Sequence, residues 1–319
     1  MSTVESWPGH VRTDEALVRR LLAAQFPRWA ELPIRRTRIW GTDNAMYRLG
    51  DDKVVRLPRF ARWAPQVDRE QRWLPRLAPH LPLTVPVPLA LGQPAEGYPF
   101  RWSVYPWLDG ENPPRGGGAD PDRLARDVAE FIIALRRIDP TDGPAPEASN
   151  AYRGVPLGDS RPSVAADDVV RSRVAALTGL VDTDALTAVW EAALAAVPAW
   201  DGRGVWIHGD LASGNLLAVD GRLRAVIDFG CLGVGDPACD LMVAWTLLPE
   251  RSRAVFRAAL SVDDATWARG RGWGMAMRVP APKDFSAADP DRSAYAQRIV
   301  AEFVADHRRE VAATPPRRL

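Results

Sequence analysis

The chain has 319 residues, of which 46% are hydrophobic and 25% charged, as is usual for a globular protein. Lys and Arg number 41 and Asp and Glu 40, so the formal net charge is +1 and gives no indication of a nucleic-acid partner; we expect none. Two cysteines are too few for a disulfide framework and predict a reducing compartment. The first residues lack the apolar core of a signal peptide, and no apolar run is long enough to cross a bilayer. We therefore expect a cytoplasmic protein that does not enter a membrane.

The N-terminal third of the chain shows helix patterns and several short strand patterns. Thr13 precedes DEALVRRLLAAQF, and the apolar spacing of that segment predicts a capped amphipathic helix. IRRTRIWG, AMYRLG and KVVRLPR are predicted strands, with a hairpin turn in LGDDKVV. Ala64 and Pro65 open a second helix through QVDREQRWLPRL, because proline is accommodated in a first helical turn. LTVPVPLALG and YPFRWSVYPWL are further strand-like segments, the first expected at an edge or in a loop because prolines interrupt it.

A polar stretch rich in Pro and Gly, ENPPRGGGADP, separates this part from a mainly helical remainder. Asp120 and Pro121 are suited to cap and start a helix through LARDVAEFIIALRRI. Further helices are predicted around 167–177 and 183–197, and from ACDLMVAWTLL, ended by Pro249, towards the C-terminus. The expected fold class is α+β, with a small β-rich N-terminal lobe over residues 1–108 and a larger helical C-terminal lobe over residues 109–319.

The segment HGDLASGNLLAVDGRLRAVIDFG carries polar residues around a predicted hairpin. Asp220 and Gly221, between alternating apolar residues, are a strong signal for a two-residue turn. Pairing outward from that turn places Asn215 opposite Val226, so Asp228 leaves the open end about two residues from Asn215. Two oxygen-bearing side chains therefore arrive at one end of a rigid element. Oxygen ligands of this kind suit Mg²⁺ when substrate phosphates supply the remainder.

The same segment matches a catalytic loop. His208, Asp210 and Asn215 have the spacing H-x-D-x-x-x-x-N, and Asp228 begins a literal DFG after the hairpin, as in enzymes that transfer phosphoryl groups. Asp210 is predicted to orient the acceptor hydroxyl and take its proton, while Asn215 and Asp228 hold the metal. His208 is predicted to hold the loop by hydrogen bonds. The alternative, that these residues only form turns and caps, requires three coincidences.

With these motifs the sequence resembles the aminoglycoside phosphotransferase family, relatives of the protein kinases. The resemblance runs from WGTDNAMYRLGDDKVVRLPR through WSVYPWLDGE, HGDLASGN and IDFGCLGVGDPACDL to RGRGWGMAM, and so covers most of the chain. Gly209, rather than Arg, is the small-molecule version of the catalytic loop. The resemblance implies a two-lobed protein-kinase-like fold that binds ATP or GTP, with Mg²⁺, in the cleft between the lobes.

The resemblance also implies a set of nucleotide-binding residues. Arg56, in KVVRLP, stands where the family normally carries a phosphate-binding lysine, a departure because Arg is bulkier and binds phosphate through a fork of donors. The alternative is that Arg56 is only a solvated strand residue. Its expected ion-pair partner is Glu70, with Asp68 as the fallback. Gly41, in WGTDNAMY, occupies the place of the glycine-rich loop, where backbone amides could bind phosphate or merely form a turn.

The resemblance also implies roles for the linker between the lobes and for the segment after DFG. In YPWLDGE, Pro106 would offer adenine its carbonyl and Leu108 its amide, because proline has no N–H. Asp236, before a proline, suits a capped helix start. Asp236 and Asp240 are both predicted to brace the catalytic loop. Carboxylates of the acceptor site cannot be chosen from the Asp and Glu residues scattered through 140–200 and 280–310.

The resulting hypothesis is an ATP- or GTP-dependent enzyme that transfers the γ-phosphoryl group to a hydroxyl of a small molecule. An aminoglycoside-like antibiotic is the leading acceptor, which would make the activity one of antibiotic resistance. A macrolide, a choline-like alcohol, homoserine or a sugar is compatible with the same motifs. The alternative is a non-catalytic nucleotide-binding protein of the same fold. The presence of Asp210, Asn215 and Asp228 together argues against it.

Overall fold

The computed structural model describes residues 9–37 and 43–313. Its strands are β1 (Ile34–Arg36), β2 (Asn44–Leu49), β3 (Lys53–Pro58), β4 (Ala90–Gly92), β5 (Trp102–Pro106), β6 (Val205–Ile207), β7 (Leu216–Val219), β8 (Arg222–Val226) and β9 (Gly233–Gly235). Its helices are α1 (Glu15–Gln25), α2 (Pro65–Leu77), α3 (Pro121–Arg136), α4 (Asp167–Ala175), α5 (Thr183–Ala195), α6 (Val243–Thr246), α7 (Glu250–Leu260), α8 (Asp264–Arg278) and α9 (Pro290–Ala313). None of the helices in these two ranges is long and apolar enough to cross a membrane.

Five antiparallel strands form the sheet of the N-terminal lobe, in the order β1-β2-β3-β5-β4. β4 lies at an edge of the sheet, as its proline-rich surroundings predict. Arg56 lies on the central strand β3, opposite Met46 of β2 and Ser103 of β5. A position in the middle of a paired strand has a well-defined backbone, so the sheet presents the Arg56 side chain from a rigid support.

The first helix begins one residue later than the sequence suggests. The carboxylate of Asp14 accepts a hydrogen bond of 2.7 Å from the N–H of Leu17, and Asp14 is therefore the N-cap. The prediction of a cap at Thr13 is wrong, since the hydroxyl of Thr13 accepts a hydrogen bond from Tyr47 instead. The apolar face of α1 packs in the core of the N-terminal lobe, as its periodicity predicts.

Two separate hydrophobic cores underlie a two-lobed, kinase-like α+β fold. One core packs α1 against the five-stranded sheet, and the other fills the helical C-terminal lobe. Helix α2 belongs to the N-terminal part of the chain but buries Trp73, Leu74 and Leu77 in the second core. This helix therefore ties the two lobes together. We propose that the boundary between the lobes lies between residues 108 and 109. Strand β5 ends at Pro106, and Glu111 already pairs with Ala218 of the second lobe.

The helices of the C-terminal lobe follow most of the predicted pattern. Asp120 caps α3 by accepting a 2.9 Å hydrogen bond from Arg123 N, and Pro121 is its first residue. The segments predicted around 167–177 and 183–197 form α4 and α5. The segment ACDLMVAWTLL is not one continuous helix, because a 3₁₀ turn over Pro237–Met242 precedes the short α6. The tighter turn coincides with Asp240 being engaged by the backbone of the catalytic loop.

Strands β7 and β8 form the predicted hairpin, with φ angles of 51° at Asp220 and 72° at Gly221. Both angles lie in the left-handed region that a tight hairpin turn requires. The predicted pairing of Asn215 with Val226 is wrong, because Leu216 faces Val226. A bulge shifts the register at Leu217 and Ala218, so the residue pairs beyond it are displaced by one position. The backbone carbonyl of Asn215 instead accepts a 2.9 Å hydrogen bond from Ile227 N. Asp228 is therefore one residue closer to Asn215 than predicted.

Candidate active site

The catalytic loop rests on a buried carboxylate. Asp240 is 1% exposed, and its two oxygens accept 2.8 Å hydrogen bonds from the amides of His208 and Gly209. Burial raises the pKa of Asp240, while the two amides favour its charged form. Because both oxygens point at consecutive amides, Asp240 determines the path of the loop just before Asp210. The prediction that Asp240 braces the loop is confirmed.

His208 holds the other side of the loop. Its ring is fully buried, its Nε2 lies 3.0 Å from the carbonyl of Ile227, and its Nδ1 accepts from Asp210 N at 3.2 Å. The ring also packs on Phe229, with 4.6 Å between centroids. One imidazole thus links the loop to the backbone that precedes Asp228. The prediction of a loop-holding role for His208 is confirmed.

Gly209 is required by space and by backbone conformation. Its φ is +81°, and a Cβ added to it would lie 2.5 Å from the carbonyl oxygen of Cys231 and 3.0 Å from Arg153 Cβ. A residue with a side chain would clash with the backbone that follows DFG and would be strained in this conformation. The same crowding accounts for the absence of a larger residue between His208 and Asp210.

Asp210 and Asn215 lie in direct contact. Asn215 Nδ2 donates to the carbonyl oxygen of Asp210 at 2.8 Å and lies 3.4 Å from its Oδ2. The other carboxylate oxygen, Oδ1, accepts a 2.8 Å hydrogen bond from Nη2 of Arg278, the last residue of α8. Sequence reasoning missed Arg278, because a single arginine 68 positions away carries no motif that points to Asp210.

Asp228 lies beside Asn215 in a strained backbone conformation. Its φ of 62° is in the left-handed region, which is uncommon for residues other than glycine and typical of functional sites. Its side chain is 50% exposed and accepts a 3.1 Å hydrogen bond from Arg56 Nη2. Within residues 9–37 and 43–313, no group of three or more His, Cys, Asp and Glu could hold a metal. Any cation here would depend on Asn215, Asp228 and oxygens of the substrate.

Arg56 is buried at the junction of the lobes. Its Nη1 lies 2.5 Å from both oxygens of Glu70, and Nη2 reaches Asp228. Asn44, with its amide oxygen turned towards Arg56, accepts from Nε at 3.0 Å and from Nη2 at 2.8 Å. All five N–H donors of the guanidinium therefore have acceptors on the protein. Burial alone would lower the pKa of Arg56, but the carboxylates of Glu70 and Asp228 raise it above its ordinary value.

The partner of Arg56 is Glu70 and not the fallback Asp68, whose carboxylate lies 2.8 Å from Arg101 on the surface. Glu70 also accepts a hydrogen bond from the hydroxyl of Tyr105, which is buried on β5. Burial and the neighbouring Glu70 carboxylate raise the pKa of Tyr105, so its hydroxyl stays a donor. A chain of contacts thus runs from Tyr105 through Glu70 and Arg56 to Asp228.

A third aspartate belongs to the same cluster. Burial, and then the charges of Asp228 and Asp210, raise the pKa of Asp43 to about 6, while Arg56 and Arg62 act to lower it. Asp43 directly precedes β2 and was not singled out from the sequence, although it stands within WGTDNAMY. Asp43 therefore adds a third carboxylate to the neighbourhood of Arg56, Asp210 and Asp228.

The other residues predicted to bind nucleotide are Gly41, Pro106 and Leu108. Gly41 lies outside the described residues. Pro106 ends β5 opposite Lys53, the amide of Trp107 donates to Asp52 O at 2.8 Å, and Leu108 is half-buried. The roles of Pro106 and Leu108 in holding adenine stay predictions.

Asp236 differs from Asp240 in its partners. It is fully buried, caps the 3₁₀ turn through a 2.9 Å hydrogen bond from Ala238 N, and pairs with Arg269 at 3.0 Å. Burial raises the pKa of Asp236, and the arginine opposes that effect. Asp236 therefore joins α8 to the segment after DFG and touches none of the cleft residues through these bonds.

Comparison with known sequences decides the family. The profile of the phosphotransferase enzyme family, APH, matches residues 35–273, about three quarters of the chain. The chain belongs to the phosphotransferase enzyme family. It is a transferase of the small-molecule kinase class, with a hydroxyl as acceptor and a nucleotide as co-substrate. A search of curated proteins found no match to this phosphotransferase.

Solved structures agree with the fold. The GDP complex of wild-type aminoglycoside 2'-phosphotransferase-IIIa is 20% identical, with a TM-score of 0.66, over 92% of this chain and 100% of that one. The GDP and kanamycin complex of APH(2")-IIia is 19% identical, with a TM-score of 0.64, over 91% and 98%. Macrolide 2'-phosphotransferase MphH from Brachybacterium faecium is 28% identical, with a TM-score of 0.53, over 96% and 100%. The first two establish the two-lobed architecture of the phosphotransferase.

Proposed function

We propose that this phosphotransferase moves the γ-phosphoryl group of ATP or GTP to a hydroxyl of a small molecule, with Asp210 as its general base. One arrangement carries the proposal: Asp210, Asn215 and Asp228 meet at the open end of one hairpin. The buried pair of Arg56 and Glu70 adjoins that end from the other lobe. The acceptor oxygen would bond to the γ-phosphorus, its proton would pass to the Asp210 carboxylate, and the bond to the leaving diphosphate would break.

The donor set near Asp228 fits Mg²⁺. Asn215 uses Nδ2 towards Asp210, which leaves its amide oxygen as a ligand, and Asp228 offers a half-exposed carboxylate. Mg²⁺ commonly takes one or two protein oxygens and completes its shell with phosphates and water. When bound, the ion would neutralise charge on the phosphates. Because the donors of Arg56 are all engaged, we propose that Arg56 acts by orienting Asp228 rather than by clamping phosphate.

The deciding experiment compares two aspartates of the same segment. Asp210→Asn should lower kcat by about 10²–10⁴-fold, because the hydroxyl loses its proton acceptor. Nucleotide affinity, measured by calorimetry, should stay within threefold of the wild type. Asp220→Asn is the matched control, since it makes the same change at an exposed turn where asparagine also accepts a left-handed conformation. Near wild-type turnover in Asp210→Asn would refute the assigned base.

A second variant tests the metal role. Asp228→Ala should weaken binding of Mg²⁺–ATP in calorimetry far more than binding of ATP in excess EDTA. Equal losses under both conditions would contradict a metal ligand. The non-catalytic alternative predicts that ATP raises the unfolding temperature of the wild type while no acceptor is phosphorylated.

The acceptor is proposed from the relatives. Aminoglycoside and macrolide phosphotransferases both share the fold, and macrolide phosphotransferase MphH has the higher sequence identity of those described here. An aminoglycoside-like antibiotic, our leading acceptor, and a macrolide should therefore both enter a coupled assay of ADP release, together with choline-like alcohols, homoserine and sugars. Raised drug tolerance in a sensitive host, lost in Asp210→Asn, would assign a resistance activity.

A further inference from the structure

Both carboxylate oxygens of the candidate base have partners in the structure. Oδ2 of Asp210 faces Nδ2 of Asn215 at 3.4 Å, and Oδ1 accepts a 2.8 Å hydrogen bond from Nη2 of Arg278. An acceptor hydroxyl must come within about 2.6–3.2 Å of a carboxylate oxygen to give up its proton. Since the Asn215 side is the one proposed to hold the metal, Oδ1 is the oxygen that remains for the hydroxyl, and the guanidinium of Arg278 covers it.

The side chain of Arg278 can move while its backbone stays in place. Arg173 of α4 donates to the carbonyl oxygens of Ala276 and Val279, at 2.5 and 2.9 Å, and so fixes the backbone on either side of residue 278. The side chains of Arg278 and Asp210 are 34% and 30% exposed, and among the described residues Arg278 forms no other ion pair. An ion pair between partly exposed groups contributes little to stability. A bound acceptor can therefore displace the guanidinium at a small cost in binding affinity.

Water is the competing reactant at such a base. A carboxylate that orients an alcohol O–H beside the γ-phosphate orients the O–H of water equally well, and the nucleotide is then hydrolysed. The oxygen of water would bond to the γ-phosphorus, its proton would pass to the Asp210 carboxylate, and the bond to the leaving nucleoside diphosphate would break. A water molecule makes few contacts and cannot displace Arg278, whereas an acceptor brings the binding free energy of its whole surface.

The charges around Asp210 favour an acceptor that is itself a cation. The carboxylates of Asp228 and Asp210 both act on Asp43, so the three groups place negative charge in one neighbourhood. When the guanidinium of Arg278 leaves, an ammonium group of the acceptor would replace its positive charge beside these carboxylates. The exchange therefore agrees with an aminoglycoside-like antibiotic as the leading acceptor.

We propose that Arg278 is a specificity-determining residue that reserves Asp210 for an acceptor alcohol and keeps water from it: its guanidinium covers Oδ1 of the base until an acceptor displaces it. This inference rests on the proposed function, because it takes Asp210 as the general base. Arg278 acts through Asp210 and not on the phosphoryl group, so its removal exposes the base to solvent without removing the base.

The test measures release of inorganic phosphate from Mg²⁺–ATP and Mg²⁺–GTP with no acceptor present. Arg278→Gln and Arg278→Met should raise this rate at least tenfold above that of the wild type, because water then reaches Oδ1. Arg278→Lys, which retains a cation at the same position, should stay within threefold of the wild type. Asp210→Asn combined with Arg278→Gln should fall to the rate of Asp210→Asn alone. Arg171→Gln, which removes an exposed arginine of α4 paired with Asp167, is the control and should behave as the wild type.

The outcomes separate this inference from the proposed function. An unchanged or lower rate of hydrolysis in the two neutral Arg278 variants would overturn the inference, while phosphorylation of an acceptor by the wild type would still support the function. A rise that persists after Asp210→Asn would overturn the inference as well, since the base would not be involved. A rise that depends on Asp210, with no acceptor phosphorylated by the wild type, would support the inference while transfer to a small molecule fails. Loss of folding in both neutral variants, seen by circular dichroism, would mark a structural ion pair and refute the proposal.

Discussion

Among single residues, Asp43 shows most directly how burial and charge act on one group. Its carboxyl pKa is raised from 3.8 to about 6, so between these values the folded protein binds a proton more tightly than the unfolded chain. The stability that this proton brings is fully present below pH 3.8 and is lost as pH rises through about 6. At neutral pH the charged Asp43 therefore lowers the free energy of unfolding.

Asp43→Asn should remove that cost. Without nucleotide or metal, the variant should be more stable than the wild type by about 2–3 kcal/mol near neutral pH, and the gap should close below pH 4. Urea unfolding over this pH range measures it. Asp51→Asn, which changes an exposed aspartate in the turn between β2 and β3, is the control and should leave the free energy of unfolding nearly unchanged. A constant gap at every pH would contradict the assigned titration.

Arg56 illustrates the cost of removing one partner from a buried ion pair. Arg56→Met would leave Glu70, which is 1% exposed, without its cation, and should lower the free energy of unfolding by about 3–5 kcal/mol. Adding Glu70→Gln should recover part of that loss, because the remaining amide is neutral. Urea unfolding of the two single variants and the double variant gives the coupling free energy. Strict additivity of the two changes would contradict a direct pair.

At the scale of elements, the catalytic loop depends on one glycine. Gly209→Ala should abolish most activity and reduce stability, because the added methyl group meets the backbone carbonyl of Cys231 at 2.5 Å in a left-handed conformation. Gly214→Ala lies in the same loop with no atom within 4 Å of its Cβ, and should leave kcat nearly unchanged. Turnover and circular dichroism of both variants check this. Equal effects would show that flexibility of the loop, and not the contact at Gly209, is what matters.

The elements also show where sequence reasoning stops. The turn at Asp220 and Gly221 could be predicted, because few residue pairs accept its backbone conformation. The register could not, because Thr84, from a distant part of the chain, pairs with Arg224 and Val226 through their backbone groups at the bulge. Likewise the helix predicted after Asp236 begins as a 3₁₀ turn, in which Asp240 accepts hydrogen bonds from the amides of the catalytic loop. Local propensity cannot report such distant partners.

For the whole molecule, Arg69 is one of the contacts that join the lobes near Asp228. It extends from α2 to the carbonyl oxygens of Gly230 and Ser149, at 2.8 and 3.1 Å, and to Glu147 at 2.8 Å. Its side chain is 5% exposed, and Gly230 is buried, whereas Ser149 is half-buried. One arginine of the N-terminal part therefore positions the segment that follows Asp228.

Arg69→Met should lower the free energy of unfolding by about 1–3 kcal/mol, because the buried carbonyl of Gly230 loses its donor. It should also weaken nucleotide binding, since the segment after Asp228 loses its support. Urea unfolding and calorimetry with Mg²⁺–ATP measure the two effects. Arg101→Gln, which breaks an exposed ion pair with Asp68 on the same helix, should change stability by less than about 0.5 kcal/mol. A similar loss in both variants would contradict the special role of Arg69.

By itself, the sequence indicated the fold class, through the order of its strand and helix patterns. It also predicted the hairpin and the grouping of Asp210, Asn215 and Asp228, because spacing along one continuous segment dictates which side chains lie at the open end of a hairpin. It also pointed to Glu70 as the partner of Arg56, through the family resemblance. Only the tertiary structure brought Asp43, Arg69 and Arg278 to the site, because these residues come from separate elements whose approach depends on packing. The ion pair between Asp210 and Arg278 is such a property: Arg278 stands at the end of α8, and the fold alone brings that helix to the catalytic loop.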